Sequence, residues 1–260
     1  MKKILFSLLA GIVALAAVFT FNGCSVNASS NQNTLKIADC GLLSPVTFFD
    51  SNNKLTGIGP DLGKMFASEQ NQTAKFDIYD FPSMLAAVSS GKADLLMNAT
   101  PTPERAQSLD FTKPYVTTTT MFVARMGDAR LDDCTTPEQI NSLLDGKKIG
   151  TIPGSSDDDY VKTIPGAVSV NFENIALMII ALKNSQVDFL LYDFLVTGNG
   201  VQSDIFIKNT DIKLINVAVE AADIACAVKK GNADLLNKLN IFIDETKTSG
   251  KLDEVIAKYV

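Results

Sequence analysis

No histidine and no tryptophan occur among the 260 residues. The first absence removes Ser-His-Asp and Cys-His catalysis together with every histidine-based zinc site. The second leaves Phe and Tyr to build any aromatic wall around a bound solute. Positive charge is scarce too: 23 Lys and Arg stand against 29 Asp and Glu, a net charge of −6. No basic stripe reverses that balance, so nucleic acid is excluded as a partner. The four cysteines, Cys24, Cys40, Cys134 and Cys226, follow no metal-ligand spacing, and no metal or cofactor is expected. What is present is an ordinary globular mixture, 46% hydrophobic and 20% charged, which argues against general disorder.

The N-terminus reads as an address. Lys2 and Lys3 precede an apolar run over 4–21, and Gly23-Cys24 follows. A basic start, an apolar stretch and a small residue at the cut describe a secretory signal over 1–23. The Gly-Cys pair resembles a bacterial lipobox, with Phe21 and Asn22 where Leu and a small residue are usual. That resemblance implies a lipidated Cys24 as the mature N-terminus and a membrane anchor through acyl chains. The alternatives are a retained membrane anchor and a plain signal with an incidental Cys. Residues 24–33 are small and polar and form a flexible tether. If Cys24 carries lipid, Cys40, Cys134 and Cys226 remain as one bridge plus one thiol or as three thiols, with Cys226 fitting a buried small residue.

The rest of the chain alternates strand and helix. Residues 34–40 alternate like a half-buried strand, 57–70 carry a helical stripe, 75–81 form a strand, 82–88 a helix closed by Ser90-Gly91, and 94–98 a strand. The same order recurs with a strand at 147–152, a helix at 155–162, a strand at 167–172, a helix at 174–182 and a strand at 187–192. A shift of 94 residues lays 85–96 over 179–190, and both copies open their strand with an acid, Asp94 or Asp188. Two amphipathic helices, split at Ser249-Gly250, end the chain. The pattern predicts an α/β protein of two similar lobes with largely parallel sheets and a cleft between them. Ligands of such sheets sit at carboxyl ends of strands and at helix N-termini. That draws attention to residues 40–49, Phe81, 98–105, 153–157 and 192–193.

Those stretches carry motifs in a telling order: Thr-Pro-Thr-Pro-Glu-Arg-Ala (100–106), Leu-Asp-Phe-Thr-Lys-Pro-Tyr (109–115), Asp-Phe-Pro-Ser-Met-Leu (80–85), Gly-Lys-Lys-Ile-Gly (146–150), Gly-Ser-Ser (154–156) and the closing 250–259. From 34 to 260 the chain resembles the extracellular solute-binding proteins of polar amino-acid ABC transporters, family 3. The resemblance implies a two-lobed periplasmic-binding fold of type II. Lobe 1 is expected at 34–119 and 221–260 and lobe 2 at 120–220, with a hinge near 117–121 and 216–222. It also implies a monomeric carrier on the outer face of a bacterial membrane, without enzymatic activity, that hands an amino acid to a permease.

A zwitterion loses water when such a cleft closes, so each of its charges must meet a fixed partner. The resemblance implies that Arg105 forks onto the ligand carboxylate and that Asp193 takes the ammonium. Thr100, Ser155 and Ser156 would offer a hydroxyl or N–H to the carboxylate, although Ser155 equally fits a helix cap. Asn98 stands near a strand-end contact, and Phe81 would cover one face of the ligand. As a lone residue, Arg105 would be read as a surface partner of Glu104 or Asp110. Relatives that take basic amino acids carry Asp and Tyr where this chain has Cys40 and Leu43. A neutral, small-to-medium or apolar ligand side chain is therefore expected. Two other readings stand beside the carrier: a dehydratase-type enzyme on the same scaffold, which would need a cleft acid or base, and a sensor, either as a domain that would continue into a transmembrane helix and output domain or as a ligand-sensing receptor partner whose closed state a receptor reads.

Overall fold

The computed structural model describes residues 34–197, 200–203, 206 and 208–260. The signal segment, Cys24 and the tether expected over 24–33 lie outside those residues.

Each lobe is built around one central strand. In the first, β1 (Thr34–Asp39) lies parallel to β5 (Thr73–Ile78) on one side and β6 (Leu95–Ala99) on the other. Successive strand residues face opposite ways. Ile37 and Leu95 join a cluster with Leu62 and Phe66 of α1 (Ile58–Glu69), while Ala38 and Leu96 join one with Met84 and Val88 of α2 (Phe81–Ser90). The two crossover helices thus seal the two faces of one sheet. Helix α2 starts where Asp80 accepts from the Ser83 N–H at 2.8 Å and stops at Gly91, whose φ of +80° suits glycine.

The second lobe repeats the plan. β9 (Lys148–Thr151) lies parallel to β10 (Val168–Asn171) and β11 (Phe189–Thr197), with α4 (Ser156–Thr163) and α5 (Ile175–Lys183) as crossovers. Here Phe189 and Leu191 face one cluster, and Leu190 and Tyr192 the other. The 94-residue echo has a physical meaning. Asp94 accepts from the Lys36 N–H at 2.8 Å, and Asp188 accepts from the Lys148 N–H at 3.0 Å. Each acid accepts from a backbone N–H of its lobe's central strand.

Two long strands run between the lobes. β8 (Val116–Arg125) and β13 (Ile212–Lys229) are antiparallel partners from Ile212↔Arg125 to Ile224↔Val116, with register shifts around Ala218. Beyond that pairing, β13 turns to β6 and β7 (Leu109–Phe111), and β8 also pairs with β11. The result is one ten-stranded sheet whose main order is β10-β9-β11-β8-β13-β6-β1-β5, with β12 (Gly200–Gln202) paired to β11. The expected parallel pairing therefore holds for β5-β1-β6 and β10-β9-β11, while the crossing strands β8 and β13 add antiparallel pairs to both lobes. A small sheet of β2 (Leu42–Leu43), β3 (Thr47–Phe49) and β4 (Leu55–Thr56) links β1 to α1, and a short α3 (Pro137–Ser142) opens with a Thr136 capping box. The final helices are α6 (Ala233–Thr248), which packs Leu239, Phe242 and Ile243 on the first lobe's core, and α7 (Lys251–Ile256).

Candidate binding site between the lobes

All nine residues singled out from the sequence, Cys40, Leu43, Phe81, Asn98, Thr100, Arg105, Ser155, Ser156 and Asp193, line one small cavity of about 60 Å³. It shares Cys40, Leu42, Phe81, Ile152 and Tyr192 with a wider groove of about 1290 Å³ that carries Asp80, Glu173 and Lys208 among its polar residues.

Arg105 starts a short 3-10 turn, Arg105–Gln107, just after β6. It is 8% exposed. Its Nη1 donates to the Thr100 carbonyl at 2.7 Å, and its Nη2 donates to the Gly154 carbonyl of the other lobe at 2.9 Å. The guanidinium carbon lies 5.1 Å from the centre of the Phe81 ring, a cation–π contact. Burial draws its pKa below the ordinary arginine value, opposed by the acids around it, Asp159 first. The surface alternative does not hold, because Asp110 is paired with Lys230 at 2.8 Å. Gly154, with φ +70°, turns its carbonyl to Arg105 in a conformation that side-chain-bearing residues rarely adopt.

From the second lobe comes Asp193. β11 does not stop at 192 as the sequence pattern suggested but runs to Thr197, so Asp193 is a mid-strand residue paired with Thr120 of β8. Its carboxylate accepts a short hydrogen bond from the Thr120 hydroxyl. Burial pushes its pKa up, against that hydrogen bond. Ser155 caps α4, accepting from the Asp158 N–H at 3.2 Å, which fits the capping reading, and Ser156 is the first helical residue. The α4 N-terminus thus points two hydroxyl residues at the cavity.

The rest of the lining is largely apolar and thiol-bearing. Cys40 and Leu42–Leu43 follow β1, and Leu42, Leu43 and Phe81 pack against the second lobe's Ile152–Tyr192 cluster. Asn98 Nδ2 donates weakly to the Cys40 sulfur at 3.8 Å. Burial, then the charge of Asp39, pushes the Cys40 thiol up to about 12, so it is an inert wall rather than a nucleophile. Cys40, Cys134 and Cys226 are all unbridged, and Cys226 is fully buried as expected.

Two lining residues were passed over when roles were assigned. Tyr192 donates a short hydrogen bond from its hydroxyl to the Leu42 carbonyl, a second bond across the cleft. Asp157, the second residue of α4, is 4% exposed and lines the cavity beside Asp193. Both fall in stretches that the strand-end rule marks, 153–157 and 192–193. What hid Asp157 was its place in Asp157-Asp158-Asp159, a run that any helix N-terminus accommodates.

Residues 35–260 match the family of bacterial extracellular solute-binding proteins, family 3. A probable histidine-binding protein of Campylobacter jejuni is 30% identical over all of this chain and 99% of that protein. An ancestral arginine-binding protein is 29% identical over 88% of this chain and 98% of that one; its arginine-bound structure gives a TM-score of 0.77 and its glutamine-bound structure 0.76. An ancestral amino acid-binding protein described as a precursor of cyclohexadienyl dehydratase is 25% identical, covers 87% of this chain and 95% of its own, and has a TM-score of 0.75. With its two lobes, crossing strands and interlobe cavity, the chain belongs to the bacterial extracellular solute-binding proteins, family 3.

Proposed function

We propose that this solute-binding protein captures an amino acid as a zwitterion by closure of its two lobes and delivers it to the permease of an ABC importer. The observation that carries the reading is the meeting of Arg105 from one lobe and Asp193 from the other at one cavity. Arg105 receives the α-carboxylate, with Thr100, Ser155 and Ser156 as further donors, and Asp193 receives the α-ammonium. Phe81 covers one face of the ligand. Relatives named for histidine and arginine binding, and a neighbour seen with both arginine and glutamine, support the amino-acid class.

Besides Asp157 and Asp193 the cavity lining brings no acid, and Cys40, Leu42, Leu43, Phe81 and Ile152 form its apolar part. A cationic side chain there would lose its water without gaining a counter-ion. We therefore favour a neutral, small-to-medium or apolar side chain. Lobe 1 at 34–119 and 221–260 and lobe 2 at 120–220 divide where β8 and β13 cross, and the pairing Thr119↔Ala221 supports hinges at 117–121 and 216–222. Lipidated Cys24 would tether a monomer to the outer membrane face by the chain 24–33.

The protein is read as a carrier and not an enzyme. Histidine is absent, Phe194, Leu195 and Val196 after Asp193 bring no further carboxylate, and the cavity's two acids, Asp157 and Asp193, are both read as ammonium partners. Turnover of prephenate or arogenate by the purified protein would overturn that. The broader reading is tested by thermal shift with the twenty common amino acids. A cognate amino acid raises the melting temperature by mass action, and the Arg105→Ala variant should not respond. Silence toward all twenty would sink the ligand class.

A further inference from the structure

Asp157 and Asp158 are neighbours on α4 and equally deep, at 4% and 2% exposed, yet their surroundings are opposite. Asp158 is saturated. It accepts from Ser169 Oγ at 2.5 Å, Lys162 Nζ at 2.8 Å, Asn171 Nδ2 at 2.9 Å and the Gly154 N–H at 3.2 Å. Although burial works against it, those bonds hold its carboxyl at about 2. Asp157 Oδ1 has no hydrogen-bond partner among the described residues. Neither has Asn98 Oδ1, which belongs to the other lobe and lines the same cavity. Buried acceptors are rarely left without a donor. Two such residues lining one cavity call for a group rich in N–H, and a primary ammonium carries three.

Asp157 also lies within hydrogen-bond reach of Asp193. Two buried carboxylates at that range repel strongly, whereas one proton between them makes a hydrogen bond. Arg105 is the cation that faces them, Glu220 and Asp158 add negative charge, and Tyr192 and Cys40 on the flank remain neutral. Burial, followed by the charge of Asp193, pushes Asp157 well above the carboxylate range. Both acids belong to the second lobe, one on α4 and one on β11, so the pair outlasts any opening of the cleft.

We propose that Asp157 is a second ammonium-binding carboxyl: it shares one proton with Asp193, and a primary ammonium entering between them replaces that proton, which leaves to solvent as both acids become carboxylates. The proposal deepens the amino-acid reading and rests on it. The site then selects primary amines over N-methylated ones, because each methyl group removes a donor that an acid of the pair would accept.

The pair is tested first without ligand, by carbon-13 NMR titration of the aspartate carboxyls. One cleft carboxyl should titrate well above the ordinary range. In Asp157→Asn and Asp193→Asn, each near-isosteric, that step should vanish and the remaining acid should move down. A helix-terminal acid with no partner role would titrate at or below the ordinary range, and Asp157→Asn would leave Asp193 unmoved; either result overturns the proposal. Calorimetry in two buffers at pH 5.5 then uses whichever common amino acid gives the largest thermal shift. About one proton should be released per molecule bound in the wild type and none in Asp157→Asn, with wild-type affinity falling up to about tenfold per pH unit on acidification. Binding without proton release overturns the proposal alone. A titrating pair in a protein that binds none of the twenty overturns the ammonium role and the amino-acid reading together.

Discussion

The two walls of the cleft carry opposite chemistry. The first lobe brings one buried cation, Arg105, stacked on Phe81 and flanked by Cys40 and Leu43. The second brings two buried acids, Asp157 and Asp193, and the hydroxyls of Ser155 and Ser156 at a helix N-terminus. Neither wall alone satisfies a zwitterion. In the proposed reading closure is selective in itself: an amino acid offers each wall a group of opposite charge, while an amine or a carboxylic acid leaves one wall without a partner, which is costly. The bonds from Arg105 to Gly154 and from Tyr192 to Leu42 show the same logic in the protein's own atoms, since each donor reaches a backbone carbonyl of the opposite wall.

The largest expected break in this comparison is Arg105→Ala. Two charge-assisted hydrogen bonds contribute roughly 1.5–3 kcal/mol each, so calorimetry should show affinity lost by about a hundredfold or more. Asp193→Asn keeps the shape and removes the charge. It should weaken binding by about ten- to a hundredfold, less than Arg105→Ala because Asp157 still faces the ammonium. A loss equal to that of Arg105→Ala would mean that Asp157 contributes nothing. Cys40→Asp sharpens the contrast by placing an acid on the first wall. Arginine should then gain about tenfold over neutral amino acids in competition binding, as expected for a new charge-assisted bond. An unchanged ranking would show that this position does not set specificity.

How much of this was legible beforehand follows the range of the forces involved. The helices α2, α4 and α5 were readable because their signals are local: apolar spacing and the caps Asp80, Ser155 and Asn174. The equivalence of Asp94 and Asp188 was visible in the internal repeat, while the backbone N–H groups they accept from were not. The strands β2 to β4, β8 and the 18 residues of β13 were not read, because their existence depends on partners far away in sequence. Asp193 was found through the family resemblance and its place after the last strand of the second repeat, but its mid-strand setting required the pairing with Thr120. The difference between Asp157 and Asp158 is invisible in the sequence altogether, since only their hydrogen-bond partners separate them.

The smallest effect concerns Asp158, the saturated neighbour. Its folded pKa of about 2 lies below the ordinary 3.8. A depressed carboxyl stabilises the fold fully above its unfolded pKa, and that contribution fades as pH falls toward its folded pKa. Melting temperature should therefore drop between about pH 4 and pH 2, and Asp158→Asn should flatten that limb while lowering stability at neutral pH.

The central claim is that one ligand bridges two oppositely charged walls. Its most direct measurement is a calorimetric comparison of the best-binding amino acid with its decarboxylated amine and its deaminated acid. Both analogues should bind at least about a hundredfold more weakly, since each strands one wall. Binding of either one within about threefold of the amino acid itself would contradict the account.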